Sequence, residues 1–341
     1  MPFVIPIFIP HEGCPHCCIF CNQHRISGHL GASVTASDVG TTITTWLGRS
    51  RKNPAAEVQV AFYGGSFTGL PLSRQEELLA AVAPFVAQGQ VQTIRLSTRP
   101  DYIDPQRVDF LLNHNVSIVE LGVQSLDDEV LAASNRGHNS EQANHAIHLL
   151  REAGLRVGVQ LMLGLPGDTT LRQMRTTEQV IALQPEFVRI YPVLVIRGSL
   201  LETRYNNTMY TPLSLDCAVI RAARMKKRFD ECGIKVVRMG LQPSTELERA
   251  LVAGPYHPAF GEMVNSRLML QQTRKLLAES NNNRQVVLTI SDRDQSVFRG
   301  IKLSNIRKLE QLGLAGKFIL RLDCSQPRLT VKLRVRSKIN S

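Results

Sequence analysis

The sequence predicts an α/β protein: a parallel barrel or an open parallel sheet, followed by a small basic α+β appendage. Three observations carry this. Strand-like and helix-like segments alternate through the first two-thirds of the chain, the pattern of serial βα units. The strand-like runs are apolar almost throughout, as strands covered on both faces are. The unusual sequences follow the strands, at the end where parallel α/β folds carry their chemistry.

The first strand is VIPIFI (4–9), and a cysteine-rich loop follows it. A helix then opens at the N-cap candidates Thr35 or Ser37. EVQVAFYGG (57–65) leads into GGSFTG and the helix LSRQEELLAAVAPFVAQ (72–88), and TIRLST (93–98) into STRPDY and the helix DPQRVDFLLNH (104–114). VSIVELGVQS (116–125) precedes SEQANHAIHLLREAG (140–154), with Ser140 as its cap and Gly154 as its stop. RVGVQLMLGL (156–165) runs into GLPGD and the helix TLRQMRTTEQVIALQ (170–184), and EFVRIYPVL (186–194) is the sixth strand. All six are rich in β-branched residues and closed by Gly, Pro or Ser. Beyond them come a helix (215–233), the strand IKVVRMGL (234–241), the loop GPYHPAFGEMV (254–264) and a helix (265–280). The tail reads as strand 285–290, helix 294–312 and strands 317–323 and 328–335. Two domains result, a core with its extension (1–265) and an appendage (266–341).

The net charge of +11 lies wholly in the last quarter, where residues 266–341 hold sixteen Lys or Arg against five acids. A basic appendage on a neutral body suits a polyanion such as RNA. No run of 18 apolar residues occurs, which excludes a membrane-spanning helix. MPFVIPIFIPHEG lacks a basic leader and reads as a buried strand, not a signal peptide. A cytoplasmic, reducing location follows, where close cysteines favour metal or catalytic roles over disulfides.

HEGCPHCCIFCNQH (11–24) holds Cys14, Cys17, Cys18 and Cys21, with His11, His16 and His24 nearby. Two C-x-x-C knuckles would suit zinc, but zinc ribbons separate their knuckles so that each turn can form. The other parse is C-x-x-x-C-x-x-C, with Cys14, Cys18 and Cys21 as ligands and Cys17 as passenger. A short loop presents three thiolates to three corners of a cubane cluster, leaving one iron for another ligand. A thioredoxin-like role lacks the helix-start context.

C-x-x-x-C-x-x-C after the first strand of a parallel βα barrel resembles the radical S-adenosylmethionine (radical SAM) enzymes. The match runs over residues 3–265 and is carried by the ordered set IPIFIPHEGCPHCCIFCNQ, AFYGGSFTGLP, STRPDYID, VELGVQSLDDEVL, GVQLMLGLPGDT and RIYPVLVIRGS. This set resembles the radical SAM portion of the Elongator catalytic-subunit family and its short bacterial relatives. The resemblance implies a partial (β/α)6 barrel, a 4Fe-4S cluster on Cys14, Cys18 and Cys21, and S-adenosyl-L-methionine chelated at the open iron. It also implies a one-electron reductant such as flavodoxin or ferredoxin, and cleavage to a 5′-deoxyadenosyl radical that abstracts hydrogen. Residues 266–341 are too few for that family's acetyltransferase domain, so the radical chemistry carries over and the substrate does not.

The resemblance places other strand ends against the cofactor. Gly64, Gly65 and Ser66 stand where a GGE-like motif meets the methionine amino group, and two glycines let backbone approach a ligand. Thr98 and Arg99 end strand three, where Arg99 faces a carboxylate or pairs with Asp101 or Asp104. Gln124 and Ser125 suit ribose hydroxyls, or Ser125 caps a helix. Gln160 and Met162 lie along adenine, and Arg189 and Tyr191 share one face by their period of two. Glu120 and Glu152 make no convincing catalytic pair. His257 reads as a structural loop histidine, and Cys217, Cys232 and Cys324 as buried thiols. In the tail, Lys332, Arg334 and Arg336 alternate onto one face, as a sheet meeting RNA phosphates would require. Three readings follow: a radical SAM enzyme acting on RNA, one acting on a small molecule or protein, and a non-catalytic iron–sulfur or zinc RNA-binding protein.

Overall fold

The computed structural model describes residues 2–9, 13–14, 18–22, 33–49, 55–280 and 285–334. Cys17, His11, His16, His24 and Arg336 lie outside them. The chain forms two compact units, Met1–Ser214 with Arg228–Tyr256, and Leu215–Lys227 with His257–Ser341.

In the first unit seven parallel strands curl into a half-barrel in the order β1-β2-β3-β4-β5-β6-β8, with helices outside. The strands are β1 (Phe3–Ile9), β2 (Val58–Gly64), β3 (Thr93–Thr98), β4 (Val116–Gln124), β5 (Arg156–Leu163), β6 (Phe187–Pro192) and β8 (Lys235–Met239). A short antiparallel pair, β7 (Val195–Ile196) and β9 (Leu251–Ala253), stands apart from this sheet. Ile5, Val60, Leu96, Val119, Val159 and Val188 are fully buried. Their continuous apolar runs are what a parallel sheet covered by crossover helices needs.

Several helix ends differ from the sequence expectation. The helix 140–152 is capped by Asn139, whose side chain accepts from Gln142 N–H in a capping box. Ser140 instead donates from its backbone N–H to Asp128, 2.7 Å away. The stretch 72–88 breaks into helices 72–80 and 83–87, the second with Pro84 in its first turn, where a missing N–H costs nothing. Thr35 caps the helix 36–47 with Asp38 completing the box.

In the second unit β10 (Val286–Ser291) runs parallel to β11 (Phe318–Asp323) and antiparallel to β12 (Lys332–Arg334). Leu288, Ile290, Phe298 and Met269 form its core. The helix expected over 294–312 is interrupted. Gly300 takes φ +74°, and Lys302 and Leu303 are left-handed, so the helices are 295–299 and 304–311. The last strand is 332–334, because Leu329 at φ +61° turns the chain before it. Among the described residues no helix is long and apolar enough to cross a membrane.

Candidate functional site

The backbones that follow β1 and β2 approach each other closely at the rim of the half-barrel. Gly13 has φ +74°, and a Cβ there would stand 2.1 Å from the Ser66 carbonyl oxygen. Gly64, at φ +113°, would place a Cβ 2.4 Å from the Ile9 carbonyl oxygen. Only glycine permits both the backbone angle and the approach. Glycine here is therefore what seats the cysteine loop on the end of β2.

Cys18 is buried, and Cys14 and Cys21 are partly exposed. Cys21 N–H donates to the Cys18 carbonyl at 3.0 Å, closing a tight turn between the two thiols. Two buried guanidiniums face the sulfurs. Arg136 Nη1 donates to Cys18 Sγ at 3.1 Å, and Arg99 Nη1 lies 3.8 Å from the same atom. Arg99 is held by Asp101, with Nε 2.9 Å from Oδ1, and donates from Nη2 to the Arg136 carbonyl. Of the partners expected for Arg99, Asp101 is the one present among the described residues. Burial raises the Cys14 thiol above its ordinary value, while Arg136 and Arg99 act to lower it. His138, on the same turn as Arg136, falls to about 4 because it is buried and lies near that arginine.

Neither Arg136 nor His138 figures among the residues that the sequence singles out. They lie between two helices, in ASNRGHN, and not at a strand end. In the turn that carries Arg136, Asn135 takes φ +50° and Gly137 φ +78° on either side of it.

Radical SAM enzymes use a 4Fe-4S cluster and S-adenosylmethionine, and the residues here fit such a group by donor chemistry. Thiolates carry negative charge, and two fixed guanidiniums balance it in a site of low dielectric. Arg136 Nε is buried without an acceptor among the described residues, and a cluster sulfur would satisfy it. Among the described residues no three His, Cys, Asp or Glu side chains converge as ligands of a single ion. A cubane asks instead for three thiolates, each on its own iron.

The other strand-end residues divide into two groups. Ser66 and Thr98 hydroxyls bond to each other at 2.8 Å, and Thr98 Oγ1 also meets Thr68 Oγ1 at 2.6 Å. These hydroxyls pin two loops together. Ser125 Oγ accepts from Asp127 N–H at 3.1 Å and sits 3.3 Å from Thr176 Oγ1; its side chain supports the turn in which Asp127 caps the next helix. By contrast Gln160 Nε2 donates to Gln124 Oε1 at 3.2 Å, and Gln124 has φ +67° at a β-bulge. Gln160, Met162, Arg189 and Tyr191 are in register across β5 and β6, so they share the inner wall. His257 Nδ1 accepts from Ala259 N–H at 3.0 Å, beside the start of helix 260–279. Cys232 and Cys324 are exposed and Cys217 is partly exposed, not buried as expected. Glu152 ends its helix, whereas Glu120 is a buried ion-pair partner of Arg95 and Arg189.

Arg136→Gln tests the guanidinium directly. An N–H donor and a positive charge beside a cluster sulfur favour the reduced, more negative state. The variant is expected to show a lower cluster midpoint potential in an EPR-monitored titration, with iron content retained. An unchanged potential would remove Arg136 from the site.

The profile of the Radical SAM superfamily matches residues 8–177, and that of the Radical_SAM C-terminal domain matches residues 185–269. A tRNA uridine(34) acetyltransferase of Methanocaldococcus jannaschii is 25% identical over 246 residues, covering 61% of this chain and 46% of that one. An uncharacterized protein of the same organism is 28% identical over 219 residues, covering 62% of this chain and 67% of its own length. This chain therefore spans about half the length of the acetyltransferase it matches. The solved structure of Methanocaldococcus infernus Elp3 superposes with a TM-score of 0.62 at 20% identity, over 80% of this chain and 64% of that one; this likeness is one of fold.

Proposed function

This chain belongs to the radical SAM superfamily, and on that premise we propose that it cleaves S-adenosylmethionine reductively in order to modify RNA. The observation that carries the cofactor half is the Cys18 sulfur, buried at the rim beneath Arg136 and Arg99. Cys14, Cys18 and Cys21 would hold the cluster. When bound, the cluster supplies the single electron that splits S-adenosylmethionine into methionine and a 5′-deoxyadenosyl radical, which takes hydrogen from the substrate. The chain's own residues do the rest. Arg136 and Arg99 offset thiolate charge, Asp101 fixes Arg99 in place, and the close approach of the Gly13 and Ser66 backbones seats the loop. Gln124, Gln160 and Met162 offer amide and thioether contacts to the nucleoside. A reductant of flavodoxin or ferredoxin type, in the cytoplasm, would deliver the electron.

The RNA half rests on charge and on the tRNA-modifying relatives. Arg321 on β11 and Lys332 on β12 both stand opposite Thr289 on β10. Register places them on one face, and both are exposed. Each phosphate contact contributes about one to the slope of log affinity against log salt. Arg321→Gln with Lys332→Gln should make transfer-RNA binding weaker and that slope shallower by about 2. Binding that ignores both salt and these changes would leave a small-molecule or protein substrate as the reading.

A further inference from the structure

The inner wall of the half-barrel carries a second polar constellation, built around Glu120. Its side chain is 5% exposed and is shared by two guanidiniums. Arg95 Nε donates to Oε1 at 2.9 Å, and Arg189 Nε lies 2.8 Å from Oε2. Arg95 is completed by Nη1 donating to Gln59 Oε1 at 2.9 Å, and it is buried. One carboxylate between two guanidiniums leaves one positive charge unbalanced. Arg238, in register with Arg189 across β6 and β8, adds a cation that donates to the Gly240 carbonyl and to Gln242.

Arg189 is only partly buried, its side chain 16% exposed. Its Nη2 donates to Tyr63 Oη at 2.8 Å, and its Nη1 to Tyr191 Oη at 3.3 Å. Each phenol has one O–H, and its oxygen already accepts a hydrogen bond from Arg189. The two O–H groups must therefore donate elsewhere, and neither has an acceptor among the described residues. Burial and the Glu120 charge hold Tyr63 above its ordinary value of 10, so it remains a donor at neutral pH. Tyr63, Arg189 and Tyr191 are all partly exposed. Phe8, 48% exposed on the neighbouring strand, has its ring centroid 6.1 Å from that of Tyr63.

We propose that Tyr63, Tyr191 and Arg189 form a seat for an anionic oxygen group of the substrate, a carboxylate or a phosphate, with Phe8 as an apolar lip beside it. Two hydroxyl donors backed by the net positive charge of the Arg95–Glu120–Arg189 cluster are complementary to an oxyanion and poorly matched to a neutral group. The proposal rests on the radical SAM reading, in which the amino and carboxylate groups of S-adenosylmethionine are taken by the cluster. The seat is then left to the molecule that loses hydrogen.

The test uses the anaerobically reconstituted full chain and three probes: acetate, inorganic phosphate and neutral acetamide. Saturation-transfer NMR reports the two methyl probes and phosphorus line width reports phosphate. At least one anion should bind at millimolar concentration, with acetamide at least about tenfold weaker. Which anion binds better identifies the group. Tyr63→Phe and Tyr191→Phe keep the rings and remove only the donors, and each should weaken anion binding about tenfold or more. Saturating S-adenosylmethionine should leave the anion bound; displacement would assign the seat to that molecule and overturn the proposal. Equal binding of acetamide, indifference to both phenylalanines, or no binding at all would also overturn it. Any of these outcomes alongside intact 5′-deoxyadenosine formation would sink the seat without touching the radical chemistry.

Discussion

Alanine at Cys14, Cys18 or Cys21 is expected to abolish cluster loading in the reconstituted protein and to lower 5′-deoxyadenosine formation by at least ~100-fold. A cubane held by three thiolates has no spare protein ligand, so each loss opens a second iron to water and oxygen. The loss is largest in consequence at Cys18, the sulfur that receives the Arg136 hydrogen bond of 3.1 Å. There the alanine variant also strands a buried cation. Cys17→Ser should retain iron and activity, since the parse leaves that thiol without a ligand role. Cys232→Ser and Cys324→Ser, at exposed positions, should behave as wild type. Iron and sulfide analysis with the absorbance of the brown protein checks each variant. A full cluster in any of the three alanine variants would show that a different cysteine set holds it.

Glu120→Ala is expected to destabilise the first unit by about 3–5 kcal/mol, because it removes the carboxylate from between the buried Arg95 and the largely buried Arg189. Arg95 and Arg189 would then repel across the barrel with no counter-charge and with hydrogen bonds unmade. Glu120→Gln keeps the shape and one acceptor, so its loss should be smaller. Urea unfolding, followed by circular dichroism, measures both. A Glu120→Ala loss below about 1 kcal/mol would mean that water enters the barrel readily enough to solvate both arginines.

The strands were legible because their cause is local. TIRLST is β3 to the residue, since half of the hexapeptide is β-branched and its apolar Ile94 and Leu96 are fully covered in the sheet. The cysteine motif was legible for a similar reason: its meaning lies in a spacing of a few residues. Arg136 was not, because it reaches Cys18 across 118 positions of chain and no pattern near it indicates that approach. Ser66 and Thr98 mark the limit from the other side. Their place at strand ends identified the rim, but not that their hydroxyls would bond to each other. The Glu120 network was invisible for the same reason, since its members come from β2, β3, β4 and β6. Alternation put each on the inner face, and only the curl of the sheet brought them within hydrogen-bond reach. Gly300 and Leu303 broke a helix that apolar periodicity had drawn unbroken, because left-handed backbone leaves no trace in hydropathy.

The central claim is that this half-barrel activates S-adenosylmethionine through a cluster on the loop after β1. Its most direct test is the anaerobic incubation of reconstituted wild-type protein with dithionite and S-adenosylmethionine, followed by quantification of 5′-deoxyadenosine. The account predicts formation of 5′-deoxyadenosine together with methionine, absent without reductant and absent in the Cys18→Ala variant. A protein that carries its full complement of iron and sulfide, is reduced by dithionite, and still forms no 5′-deoxyadenosine would contradict it.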